Sequence, residues 1–436
     1  ELGLMDLELL SVLTQDTMQY PQEELDAMWK LVLLNQFHDI LPGSSIHEVY
    51  EVTKKEYDEL AEKLAEMTGQ RRKAIAGNAV TIFNTTGQVR DDIVNLGALE
   101  GSALLDTDGT VYPIQKTADG NVAFVRSLPS KGYKSFQIRD AADNADNKVP
   151  FTLVGENQLE TPFYTIKLDA QGMLTSIYDK ENDREVIQEG QRANLLRMYE
   201  DKPIYFDNWD IDIYYTEKFW DVDSIEQMEW TEIGTVRAVL DITRKVSQST
   251  IQQKMIFYAD SRRIDFVTHV DWKEHQTLLK VHFPVAVHTD EATFDVQFGN
   301  LTRKTHQNTS WDVARFESCG QKWMDLSEGH YGVSLLNDCK YGHSVKDSNM
   351  ALTLIKSGIE PNPTTDQEEH DFIYAIYPHA EGWRAAGTVA ESYKLNQPLL
   401  VQTQTEEKEA FSYASVAHAN VIIETIKHAE NENGTV

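Results

Sequence analysis

Leu4, Leu7, Leu10 and Leu13 recur at helical spacing, so the chain opens with a helix. A second helix is predicted to begin near Pro21, a good first-turn residue. It is followed by Glu23 and Glu24, which suit the positive end of the helix dipole. Leu25, Met28, Trp29 and Val32 form its apolar stripe, and Pro42-Gly43 is read as its stop. Ser45 with Glu48 three residues on has the form of a capping box that opens a third helix. Ile46, Val49, Thr53, Tyr57, Leu60, Leu64 and Met67 run down one side of that helix. Three helices with short connections predict a small bundle over residues 1–76.

At Gly77-Asn78 the period changes. Val236, Ala238, Leu240 and Ile242 alternate with their neighbours, as do Ile264, Phe266, Thr268, Val270 and Trp272, and then Leu279, Val281, Phe283 and Val285. Asp108-Gly109, Asp119-Gly120 and Gln171-Gly172 punctuate the runs as turns. A polar stretch from Arg139 to Lys148 divides a smaller β segment from a larger one. The expected architecture is α+β and multidomain: a three-helix bundle at 1–76, a small β domain at 78–138, and a large domain at 150–436. The β part is expected to be mostly antiparallel sandwich. The chain has no initiator Met and no basic leader, and it ends on a turn-like Asn431–Val436 stretch after Val421-Ile422-Ile423. More protein is expected upstream, and a partner strand downstream.

Composition narrows the function classes. Hydrophobic residues make up 41% and charged residues 25% of 436 residues, a folded, globular profile. A net charge of -30 repels nucleic acid and anionic lipid, so neither is expected as a partner. Cys319 and Cys339 are too few for a disulfide framework and lie in no CxxC motif. A reduced, cytoplasmic setting is therefore expected.

The most distinctive polar set is in Asn35–Ser45 (NQFHDILPGSS). On a continuing helix, Asn35, His38 and Asp39 at i, i+3 and i+4 would share one face. A neutral imidazole is a common zinc ligand, and an adjacent carboxylate can orient it or grip a hydroxyl. By spacing alone, a His and an Asp ending a helix serve equally well as dipole and loop partners. A site shared with His47 also stays open. Asp207, Asp210 and Asp212 around Trp209 fit a sugar-contacting loop, with the indole stacked on a pyranose, or strand caps around a buried Trp.

NQFHDILPGSSIHEVYEVTKKEY resembles the helix motif of glycoside hydrolase family 38, the α-mannosidases. Phe206–Asp212 (FDNWDID) is similar to the Asp-Ala-Trp-Asp element of that family, with Asn208 in place of Ala. VDWKEHQTLLK, RKTHQN, RFESCGQKWMDLS, YGVSLLNDCKYGH and DQEEHDFIY resemble successive family blocks in the same order. The resemblance covers essentially the whole chain and is nearest the bacterial and cytosolic branch.

The resemblance implies one zinc ion bound by an early His and Asp, a later catalytic Asp, and the His of the helix motif. Only that last ligand matches here, as His38. Asp39 matches the family Asp that holds sugar hydroxyls, and Asp207, Trp209 and Asp210 match the block that contacts sugar. No catalytic residue is expected in this chain, because the nucleophile and general acid belong to an N-terminal domain that nothing here resembles. Family chemistry is retaining, with a covalent glycosyl intermediate. The expected partner is a mannose-containing oligosaccharide with terminal α-linked mannose, and a homo-oligomer is compatible. The chain alone is expected to be inactive. The alternatives are a stand-alone β-sandwich carbohydrate-binding module, or a relative hydrolysing another mannosyl compound such as mannosylglycerate.

Overall fold

The computed structural model describes residues 1–77, 80–139, 148–403, 408–430 and 434. They form two compact units, one from residues 1–147 with 397–436 and the other from 148–396.

The first unit begins with α1 (Leu2–Leu13), α2 (Gln22–Asn35) and α3 (His47–Ile75). Leu4 and Leu7 of α1, Leu25, Met28 and Val32 of α2, and Leu60 of α3 close on one another, which gives the expected bundle its core. Trp29 joins α2 to α1 by donating to the buried Glu8 carboxylate at 2.9 Å. Two local expectations fail. α2 stops at Asn35, well before Pro42-Gly43, and residues 36–43 form successive turns. The Ser45–Glu48 capping box does not form: Ile46 is the N-cap of α3, without a side-chain cap, and the Ser45 hydroxyl turns back to Asp39.

An eight-stranded antiparallel sheet follows the helices. Val80–Asn84 pairs with Gly132–Arg139, Val80 opposite Phe136 and Asn84 opposite Gly132. On its other edge the same strand takes Leu400–Gln402, and Phe411–Ser412 pairs with Gly132–Arg139. The residues from 397 onward, expected in the large β domain, therefore cluster with the first unit. No sequence pattern signals this, because the pairing is set by partners more than 250 residues away. All but Gly434 of the turn-like stretch Asn431–Val436, and most of the stretch Arg139 to Lys148, lie outside the described residues.

The second unit holds antiparallel sheets of five, six and nine strands. One apolar core joins them: Leu159 and Ile166 from the first, Leu279, Val281 and Phe283 from the second, Leu240, Phe266 and Tyr374 from the third. The predicted alternation holds in Arg237–Val246, where Ala238, Leu240 and Ile242 face this core. Thr277–Pro284 departs from it, since both faces are buried. Lys280, 0% exposed, sits on the second face in an ion pair with Glu317 and donates to Ser344 at 2.7 Å. Such a pairing is what a buried ammonium requires. Asp325 lies in Trp323–Glu328, buried against Ser334 and His379, each at 2.9 Å. Among the described residues no helix is long and apolar enough to cross a membrane.

Candidate functional site

The turn after α2 carries the first candidate group. Asn35, 4% exposed, ends the helix with its side chain spent. Its amide donates to Leu31 O at 3.2 Å and Glu56 Oε2 at 3.0 Å, and its oxygen accepts from Thr53 at 2.9 Å. The chain then folds back through Leu41 N to Phe37 O (3.1 Å) and Gly43 N to Ile40 O (3.1 Å), with Gly43 at φ 82. His38 and Asp39 therefore leave from a non-helical turn and do not share a helix face with Asn35. They point outward, with side chains 73% and 37% exposed and Nε2 3.5 Å from Oδ2. The Phe37 and His38 rings lie 4.3 Å apart. Leu33, Leu34, Phe37 and Leu41 around them are also exposed. His47 pairs with Glu51 at 3.5 Å along α3, a local i,i+4 contact.

The second group belongs to the second unit. Phe206 adopts φ 47 and its carbonyl accepts from Trp209 N (2.7 Å) and Asp210 N (2.9 Å), which makes a tight turn. Trp209 is 60% exposed, so the alternative of a buried Trp is excluded, and Asp210 is exposed beside it. Tyr205, Phe206 and Tyr214 are more than half exposed as well. Asp207, expected with the sugar contacts, faces inward instead and is 5% exposed. Its carboxylate accepts from Ile359 N (3.0 Å), Glu360 N (2.8 Å) and Gln276 Nε2 (3.0 Å). Burial pushes this carboxyl up, but the Gln276 amide, the two backbone N–H groups and the Lys356 charge outweigh it and hold it below the ordinary range. Asn208 donates to Asn362 O (3.1 Å) and Thr365 Oγ1 (2.6 Å). Gly358 makes room for both: a Cβ there would lie 1.9 Å from Asn208 Oδ1 and 2.9 Å from the Asp207 carbonyl carbon. Sequence reasoning missed Gly358, Asn362 and Thr365, since nothing local ties them to a loop more than 140 residues earlier.

Among the described residues no three His, Cys, Asp or Glu groups cluster as a metal site. His38 and Asp39 offer one imidazole nitrogen and one carboxylate, both reachable from solvent. That donor chemistry suits zinc, which takes about four ligands of N, O or S type, but two residues supply only part of a shell. His282 is no candidate. Burial, with the charges of Lys280 and Arg197, pushes it down to about 3, and its ring is taken by Tyr199 (2.8 Å) and Asn349 (3.0 Å).

Two sequence profiles match this chain: "Alpha mannosidase middle domain" at residues 1–75 and "Glycosyl hydrolases family 38 C-terminal domain" at residues 159–364, together more than half of it. The chain belongs to glycosyl hydrolase family 38. The α-mannosidase 2C1 of Homo sapiens is 33% identical over 98% of the chain and 41% of its own length. The α-mannosidase G of Dictyostelium discoideum is 31% identical over 94% of the chain and 42% of its own. This family 38 chain thus spans about two fifths of the length of these relatives. The crystal structure of an α-mannosidase from Enterococcus faecalis V583 superposes with a TM-score of 0.81 at 15% identity, covering 99% of this chain and 60% of that one, a likeness of fold.

Proposed function

We propose that this family 38 chain supplies metal- and sugar-binding groups to a zinc-dependent, retaining α-mannosidase. That enzyme removes terminal α-linked mannose from oligosaccharides in the cytoplasm. The observation that carries the reading is the exposed His38–Asp39 pair on a turn whose backbone is fixed. Zinc, when bound, supplies Lewis-acid grip on neighbouring sugar hydroxyls. His38 offers a ring nitrogen to the ion. Asp39 accepts hydrogen bonds from sugar hydroxyls. Trp209 offers an indole face to a pyranose and Asp210 a carboxylate to its hydroxyls. Asp207 holds the loop that displays them. The free thiols of Cys319 and Cys339 support the cytoplasmic setting.

No residue here is assigned as nucleophile or acid, so the chain alone is proposed to be inactive. Cleavage of an aryl α-mannoside by the purified 436-residue chain would overturn that. In a full-length polypeptide, His38→Ala should lower zinc content and activity together, and retained zinc would count against the ligand role. Asp39→Asn should spare zinc and raise KM. The exposed row of Tyr205, Phe206, Trp209 and Tyr214 also favours a second reading, carbohydrate binding by the β region alone. Calorimetric titration of the chain with mannooligosaccharide separates the two: saturable binding that Trp209→Ala abolishes and His38→Ala spares would favour the second.

A further inference from the structure

The side chains of His38 and Asp39 are 73% and 37% exposed, so packing holds neither fully and the backbone beneath them carries the rest of their placement. The Asp39 carbonyl is the focus of three hydroxyls. Ser45 Oγ donates to it at 2.6 Å, and Ser44 Oγ and Tyr50 OH lie 3.4 Å away. Tyr50 OH also lies 3.3 Å from Ile40 O and accepts from Ser45 N at 2.9 Å. One phenol thus joins the two limbs of the turn: it receives the N–H of residue 45 and gives its proton to a carbonyl of residues 39–40. Thr53 and Glu56, which grip Asn35, follow Tyr50 on α3 at i+3 and i+6. All three lie along one stripe of the helix. The segment 36–40 is therefore pinned at both ends to the same rigid element.

We infer that Tyr50, assisted by Ser45, is a positioning residue for His38 and Asp39. The inference rests on the proposed role of that pair. Its hydroxyl fixes the peptide from which both side chains leave, and so limits the directions in which an imidazole and a carboxylate can meet a metal ion and a sugar. Supporting groups of this kind govern affinity without touching the ligand.

Tyr50→Phe removes one oxygen and keeps the ring. In the 436-residue chain, amide exchange at Ser45 should speed up about tenfold or more, while amides in the middle of α2 and α3 keep their rates. In the zinc-loaded full-length polypeptide, the same change should raise the zinc dissociation constant and the KM for an aryl α-mannoside about tenfold each, with kcat changed far less. Ser45→Ala should act in the same direction, and Ser45→Thr, which keeps the hydroxyl, should restore both constants. Unchanged exchange at Ser45 would overturn the inference, as would faster exchange with unchanged zinc affinity and KM. If His38→Ala keeps zinc and Asp39→Asn keeps KM, the proposed function fails instead, and the exchange result still stands by itself.

Discussion

In the turn after α2 the anchors are on the backbone and the displayed side chains reach solvent. In the loop from Ile204 to Asp212 side chains are themselves the anchors. Asp39 is held through its carbonyl oxygen, and its carboxylate is left outward. Asp207 is held through its carboxylate, which closes on two backbone N–H groups and an amide, while its neighbours Phe206 and Trp209 are pushed into solvent. Both arrangements fix a short non-helical segment, but they put the cost of substitution in different places. The first depends on hydroxyls from α3 and from the two serines before it, and tolerates change at the displayed residues. The second depends on a charged residue and a close backbone approach, and tolerates change only at the aromatic tips.

The difference can be broken at its strongest point first. Gly358→Ala drives a methyl into Asn208 Oδ1 and the Asp207 backbone, and two hydrogen bonds on Asn208 keep that side chain from yielding. Urea unfolding of the second unit should show a loss of about 3 kcal/mol. Asp207→Asn removes the charge from three hydrogen bonds and should cost about 2 kcal/mol at neutral pH. Its pH dependence has a defined sign. The folded carboxyl lies below the ordinary value of 3.8, so its contribution is complete above that value and is lost as pH falls through the folded one. Wild type and Asp207→Asn should therefore converge in stability on acidification; a constant gap would show that the loss is not electrostatic.

In the first unit, Asn35→Ala unties α2 from Thr53 and Glu56 and should lower the stability of the bundle by about 1 kcal/mol in thermal unfolding. The smallest effect is expected at Trp209→Ala. Its ring is 60% exposed, so stability should change by less than about 0.5 kcal/mol while sugar binding falls. A large stability loss there would mean the indole is a structural anchor after all, and the contrast between the two segments would disappear.

Helix number, the apolar faces of the bundle and the alternation of the long strands were legible because each is written in local spacing. Leu4, Leu7, Leu25 and Met28 lie in the core where their period puts them. The end of α2 was not legible. Gln36 to Leu41 contains no helix breaker, and the stop is made by contacts from α3 to Asn35 and Asp39. The fate of Asp207 was hidden for the same reason, since its acceptor sites are filled by residues 69 to 153 positions away. Lys280 misled the strand reading because a second layer, carrying Tyr215 and Glu317, covers the face that alternation assigns to solvent. His38 and Asp39 were picked out by motif, and the hydroxyl frame beneath them could be seen only once the turn was folded.

The pairing of Leu400–Gln402 with Val80–Asn84 bears on how the chain is made. Until those residues leave the ribosome, Val80–Asn84 is an open sheet edge, and the whole second unit must be synthesised in between. At about 5–20 residues per second, the roughly 315 intervening residues take on the order of tens of seconds. During that time the first unit waits unfinished while the inserted one can already fold. An edge left open that long is a template for pairing with other chains. Nascent chains of this protein are therefore exposed to aggregation until Leu400–Gln402 emerges, long after the strand it pairs with.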